Sequence, residues 1–90
     1  MADLIAFDIE TTGLSPYENA LLEIAGVKFR VDGAIFETFQ ELANPGSAIP
    51  EAVRAITGLT DEMVAARRPP IEVLRAFLVW AGPDPYFLAH

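Results

Sequence analysis

The residues best suited to chemistry are two carboxylates near the start, Asp8 and Glu10, in the run Asp3-Leu4-Ile5-Ala6-Phe7-Asp8-Ile9-Glu10. The run is apolar and β-prone, and Gly13 and Pro16 punctuate the stretch after it. It reads as a strand over residues 4–9, central in its sheet and buried on both faces. An unpaired carboxylate is costly to bury there and needs a partner or a metal. Strand side chains repeat with period two, so Asp8 and Glu10 point to one face. Two carboxylates side by side repel, and a divalent cation removes that repulsion. Oxygen-only ligands suit hard ions such as Mg²⁺ or Mn²⁺. The plainer alternative makes Asp8 a turn cap and Glu10 a solvated strand end. Thr11-Thr12-Gly13-Leu14 comes directly after the pair. Two hydroxyls and a glycine beside a carboxylate pair suit a close backbone approach to a nucleotide end; the same four residues also make an ordinary turn. Glu23 reads as a buried structural carboxylate rather than a ligand.

The composition narrows the choices. There is no cysteine, which excludes disulfides and cysteine zinc sites. The one histidine is His90, so neither a histidine-rich metal site nor a Ser-His-Asp triad is available within the 90 residues. His90 itself reads as a solvated terminal residue. Net charge is −7, which leaves no basic face for gripping phosphates. Such a chain either avoids nucleic acid or meets phosphate through divalent cations held on carboxylates. No apolar run approaches the roughly 20 residues of a membrane span, and Met1-Ala2-Asp3 lacks the basic start of a signal peptide. No membrane partner and a cytoplasmic location are therefore the expectation. With 52% hydrophobic and 21% charged residues, the chain fits one small globular domain with a thin core.

The elements that must position Asp8 and Glu10 can be read from periodicity and punctuation. Residues 20–31 read as a second strand, with Val27, Phe29 and Val31 alternating against Lys28 and Arg30. Asp32-Gly33 is a hairpin turn, and residues 34–42 form a third strand antiparallel to the second. Strand one lies on the inner side of this meander. Asn44-Pro45-Gly46 closes the sheet region. Pro50 fits the first position of a short helix over 50–57, which Gly58 ends. Thr60 caps a second short helix with Asp61 and Glu62 in its first turn, and Pro69-Pro70 breaks it. Residues 71–81 form a third helix with Ile71, Leu74, Leu78 and Phe77 on one face, stopped by Gly82-Pro83. Residues 86–89 start a fourth strand, parallel to the first after a helical crossover. The order β-β-β-α-α-α-β is an α/β layout that looks unfinished.

The strings FDIETTGLSP at 7–16 and LLEIAGVKF at 21–29 resemble the first motif of the DnaQ-like (DEDD) 3′→5′ exonuclease family. NPGSAIPEAVRAITGLTDEMV at 44–64 resembles the segment between that family's first and second motifs, and residues 71–90 resemble the helix and strand leading into the second. The resemblance spans nearly the whole chain and is nearest the N-terminal half of the DNA polymerase III epsilon-type proofreading domain. It implies an RNase H-like mixed sheet with flanking helices, truncated after the start of the fourth strand. Residues 1–90 are then the N-terminal part of a single exonuclease domain whose C-terminal half is missing. It also implies a DNA-proofreading type of 3′→5′ hydrolysis, in which four acidic residues hold two Mg²⁺ or Mn²⁺ ions. The implied partners are a single-stranded DNA or RNA 3′ end and a DNA polymerase subunit.

Asp8 and Glu10 match the family's first two acidic ligands. Thr11, Thr12, Gly13 and Leu14 match its loop at the terminal nucleotide, with Thr11 best placed for a backbone contact. Ile56, Thr57 and Gly58 match a segment that approaches the same nucleotide. The third acid should come after a sequence like His-Asn-Ala-x-Phe-Asp, of which Ala89-His90 supplies only the first histidine. The third acid, the fourth and the general base all lie beyond His90, so the 90 residues alone are expected to be inactive. Two other readings are a non-catalytic module that docks a polymerase partner or a nucleic-acid end, and a carboxylate-metal hydrolase of another family. The Thr-Thr-Gly-Leu and Thr-Gly-Leu-Thr-Asp-Glu matches speak against the second.

Overall fold

A computed structural model describes residues 3–13 and 20–89. Its framework is one four-stranded mixed sheet. The strands are β1 (Asp3–Thr11), β2 (Leu21–Phe29), β3 (Ile35–Leu42) and β4 (Pro85–Ala89), in spatial order β3-β2-β1-β4. β1 and β2 pair antiparallel, as do β2 and β3, while β4 runs parallel to β1. The meander, the inner place of β1 and the parallel fourth strand all agree with the sequence reading. The β2–β3 turn closes at Asp32-Gly33 with Gly33 at φ 90°, and its N–H donates to the Arg30 carbonyl at 2.8 Å. A positive φ of that size favours glycine, which is why the Asp-Gly signal is reliable here.

Three helices come next: α1 (Glu51–Thr57), α2 (Asp61–Val64) and α3 (Pro70–Ala81). Pro50 stands one residue before α1 rather than in its first turn. Gly58 ends α1 at φ 76°, donating its N–H to the Arg54 carbonyl at 2.8 Å. The Thr60 hydroxyl accepts the Met63 N–H at 3.3 Å and so caps α2 as its sequence suggests. Ile49, Leu59 and Val64 close over Leu22 in a small core at one end of the sheet. Polar ties hold this corner. Asp61 accepts the Ile49 N–H at 2.8 Å, and Arg68 forks onto the Glu41 carboxylate with two hydrogen bonds of 2.8 Å.

The main core lies between α3 and one face of the sheet, where Val73, Phe77 and Ala81 meet Ile5, Ile24 and Ala43. This corrects the predicted helix face. Of the residues assigned to it, Phe77 is buried, but Ile71, Leu74 and Leu78 are 54%, 41% and 49% exposed. Apart from Glu72 and Arg75, the α3 residues are all apolar or proline, so periodicity alone leaves two candidate stripes. Gly26 decides between them. A Cβ there would stand 3.0 Å from Phe77 Cε1 and 3.1 Å from Trp80 Cζ3, so its bare backbone is the notch into which those rings fit.

Lys28 is a second departure from the expected alternation. It is the polar member of the β2 pattern, yet it faces α3 and is 8% exposed. Its stem crosses the Trp80 ring, with Nζ 4.8 Å from the centroid, and the ammonium lies 3.7 Å from both Asp3 and Glu37. Val27 and Phe29 are half-buried on the other face.

Candidate functional site

The face opposite α3 carries the two acidic candidates. Asp8 and Glu10 alternate with Phe7 and Ile9 along β1 and share a face with Ala25 and Glu23 of β2, which they oppose in the ladder. Both belong to an interior strand, but the expectation that β1 is buried on both faces is overturned. Asp8 is exposed, Glu10 is half-buried, and Ile9 is 47% exposed. Among the described residues no element packs over this part of the sheet. The desolvation cost that first suggested a metal therefore does not apply. What remains is geometry: two open carboxylates on one face of β1, paired with β2 and lying just past the end of the β4 ladder at Phe7.

The loop after them is tightly organised. Thr12 is 6% exposed; its N–H donates to the Ala20 carbonyl and its hydroxyl accepts the Ala20 N–H, both at 2.9 Å. Thr12 thus closes the loop base, and its polar groups are engaged there. The Thr11 hydroxyl donates to the Gly13 carbonyl and accepts the Gly13 N–H at 3.4 Å, folding Gly13 back beside the strand end. A register shift at Glu10/Thr11 marks where pairing with β2 changes. Leu14 lies outside the described residues, as does His90.

Glu23 is not the buried structural carboxylate expected. It is half-buried, stands directly across from Glu10, and accepts a 2.7 Å hydrogen bond from the Gln40 side-chain amide. Gln40 belongs to two adjoining depressions. One, of about 570 Å³, holds Asp8 with Ala25, Val27 and Thr38. The other, of about 490 Å³, holds Glu23 with Glu41, Thr57, Leu59 and Arg67. Of the 56–58 segment, Thr57 therefore shares a depression with Glu23. Thr57 donates its hydroxyl to the Val53 carbonyl at 2.8 Å and accepts the Leu59 N–H at 3.1 Å, while Ile56 stands 86% exposed on α1. Sequence reasoning missed Gln40, and missed that Glu23 faces Glu10. Only the register settles this: the antiparallel β1–β2 ladder that opposes Asp8 to Ala25 also opposes Glu10 to Glu23.

The donor set fits a hard divalent ion. Two carboxylates with no thiol or imidazole nearby offer oxygen alone, and Mg²⁺ or Mn²⁺ would keep water in its other positions. Asp8 and Glu10 would hold it. Among the described residues no three His, Cys, Asp or Glu side chains gather closely enough to share an ion. No helix among them is long and apolar enough to cross a membrane.

Comparisons with known proteins agree with this arrangement. The sequence profile of the RNase T exonuclease family matches residues 5–90. The chain is 39% identical over 89 residues to the PolC-type DNA polymerase III of Listeria monocytogenes, and 36% identical over 86 residues to that of Bacillus subtilis. It spans only about 6% of the length of these relatives, against 99% and 96% of its own. Exonuclease X, solved with 5′ overhanging duplex DNA, superposes with a TM-score of 0.78 at 29% identity, covering 97% of this chain and 48% of the other. Escherichia coli exonuclease I, solved with a dT13 oligonucleotide, shares the fold with a TM-score of 0.80 at 17% identity, covering all of this chain and 20% of the other. The mixed sheet with its helices is thus that of an RNase H-like exonuclease fold, and the chain belongs to the exonuclease family.

Proposed function

We propose that this chain carries the first two carboxylates of a two-metal 3′→5′ exonuclease that trims single-stranded DNA ends. The reading extends to a proofreading task beside a DNA polymerase, in the cytoplasm. One observation carries it: Asp8 and Glu10 share an open face at the end of an interior strand, and Thr11-Thr12-Gly13 turns directly after them. The relatives support the DNA version, since they are DNA polymerase III proteins. An RNA 3′ end is the substrate to compare in the same assay.

Bound divalent ions would supply an activated water and neutralise charge building on the scissile phosphate. Asp8 and Glu10 would help hold those ions through their carboxylate oxygens. The Thr11–Gly13 backbone, fixed by the Thr12–Ala20 hydrogen bonds, gives the terminal nucleotide a rigid edge to lie against. Ile56 offers an apolar surface for the terminal base, and Thr57 fixes the turn that presents it. Water exclusion and the general base are not among the tasks these residues perform. With one carboxylate pair, half of a four-acid set, residues 1–90 alone would not turn over substrate.

The test is a 5′-labelled single-stranded oligonucleotide incubated with the intact protein and Mg²⁺ or Mn²⁺. A ladder shortening one nucleotide at a time from the 3′ end, stopped by a chelator, is expected. Release of the labelled 5′ nucleotide, or degradation that persists with the chelator, would contradict the reading.

A further inference from the structure

The face that carries Asp8 and Glu10 holds a third carboxylate that the proposed reaction does not use. Glu23 lies directly across the ladder from Glu10. Directly opposed side chains have Cβ atoms roughly 4.5–5.5 Å apart, and like charges so placed destabilise a sheet. Nothing in the packing requires an acid here, because Glu23 is only half-buried and its other ladder partner is Leu42. β3 nevertheless provides a dedicated contact. The Gln40 amide, one step along the same face, donates to Glu23 Oε2 at 2.7 Å. That bond anchors the carboxylate from the β3 side, across β2 from Glu10. Gln40 lies in the depression with Asp8 and in the one with Glu23 and Thr57, so it borders both.

We propose that Glu23, anchored by Gln40, is a positioning residue of the Asp8/Glu10 site. Its charge strengthens the pull of that pair on a divalent cation, while the Gln40 amide keeps it out of the ligand set. The inference rests on the reading of Asp8 and Glu10 as cation ligands. It accounts for two observations together: a like-charged pair stands in the ladder, and the third acid does not converge with the other two. A unit charge a strand's width away, in the high effective dielectric of a protein surface, changes cation affinity by about threefold to tenfold.

The experiment measures Mn²⁺ binding to the intact protein by electron paramagnetic resonance, and the waters on bound Mn²⁺ by proton relaxation. Glu23→Gln is expected to weaken binding by about threefold to tenfold while leaving the bound-water signal unchanged. Gln40→Ala is expected to lower the bound-water signal, because the released carboxylate displaces water from the ion. Gln40 is exposed, so this variant keeps the fold and reads the contact even if Glu23→Gln does not. Binding within twofold of the parent protein in Glu23→Gln, or an unchanged bound-water signal in Gln40→Ala, would overturn the proposal. Asp8→Ala separates the two levels: if it binds Mn²⁺ as the parent does, the cation site itself is wrong, whatever Glu23 does.

Discussion

Replacing Gly26 with alanine tests how α3 is seated, and with it which sheet face is left open for Asp8 and Glu10. The added Cβ would stand 3.0 Å from Phe77 Cε1, 3.1 Å from Trp80 Cζ3 and 3.4 Å from Trp80 Cη2, where ordinary contact begins near 3.4 Å. Neither ring can turn aside cheaply. Phe77 is packed against Phe7, Phe39 and Phe87 with ring centroids 5.6–5.9 Å apart, and Trp80 lies under the Lys28 stem. Relief therefore requires α3 to lift by a few tenths of an ångström along its whole contact. Overpacking of this kind costs about 1–3 kcal/mol. Alanine recovers about 0.4–1 kcal/mol by restricting the unfolded chain. The expected net loss is about 0.5–2 kcal/mol, which at a urea slope of about 1–3 kcal/mol/M lowers the midpoint by roughly 0.2–2 M. Trp80 is the only tryptophan in the chain, so its fluorescence reports on this interface directly. A neutral or stabilising Gly26→Ala would refute the seating of Phe77 and Trp80 over β2, and with it the assignment of the open face.

The same contacts set other outcomes. Lys28→Met keeps the stem over Trp80 and removes a buried charge whose partners are nearly half exposed, so thermal unfolding should shift little; Lys28→Ala loses the packing and should cost more than the methionine variant. Thr12→Val leaves the Ala20 N–H without its hydroxyl acceptor, at a cost of about 1–3 kcal/mol, and hydrogen exchange at the Ala20 amide should accelerate sharply. Ile56→Ser should raise the KM for single-stranded DNA of the intact protein with little change in stability, since its side chain is 86% exposed; an unchanged KM would remove Ile56 from the substrate surface.

Much of this fold is legible in the sequence because its boundaries are set by local chemistry. Asp32-Gly33, Gly58 and Thr60 each solve a backbone problem that few other residues solve, and each sits where expected. Asp8 and Glu10 share a face simply because strand side chains alternate. The misreadings concern choices made by tertiary packing. The two apolar stripes of α3 look equivalent until Gly26 opens a notch for one of them. Lys28 reads as solvent-facing until Trp80, Asp3 and Glu37 are seen to surround it. Asp8 reads as buried because the run around it is apolar, yet α3 covers only the Ile5 and Phe7 side of β1. The Glu10–Glu23–Gln40 series depends on register across three strands, which composition and spacing along one strand do not determine.

The measurement that bears most directly on the central claim is the single-turnover rate of the intact protein on a single-stranded DNA 3′ end, for the parent, Asp8→Ala and Glu10→Ala, with matched circular dichroism spectra. Both carboxylates are solvent-accessible, so neither variant should disturb the fold. The account predicts that each variant loses Mg²⁺- or Mn²⁺-dependent degradation while keeping the parent's spectrum. A folded Asp8→Ala protein that degrades the DNA at the parent's rate would contradict it.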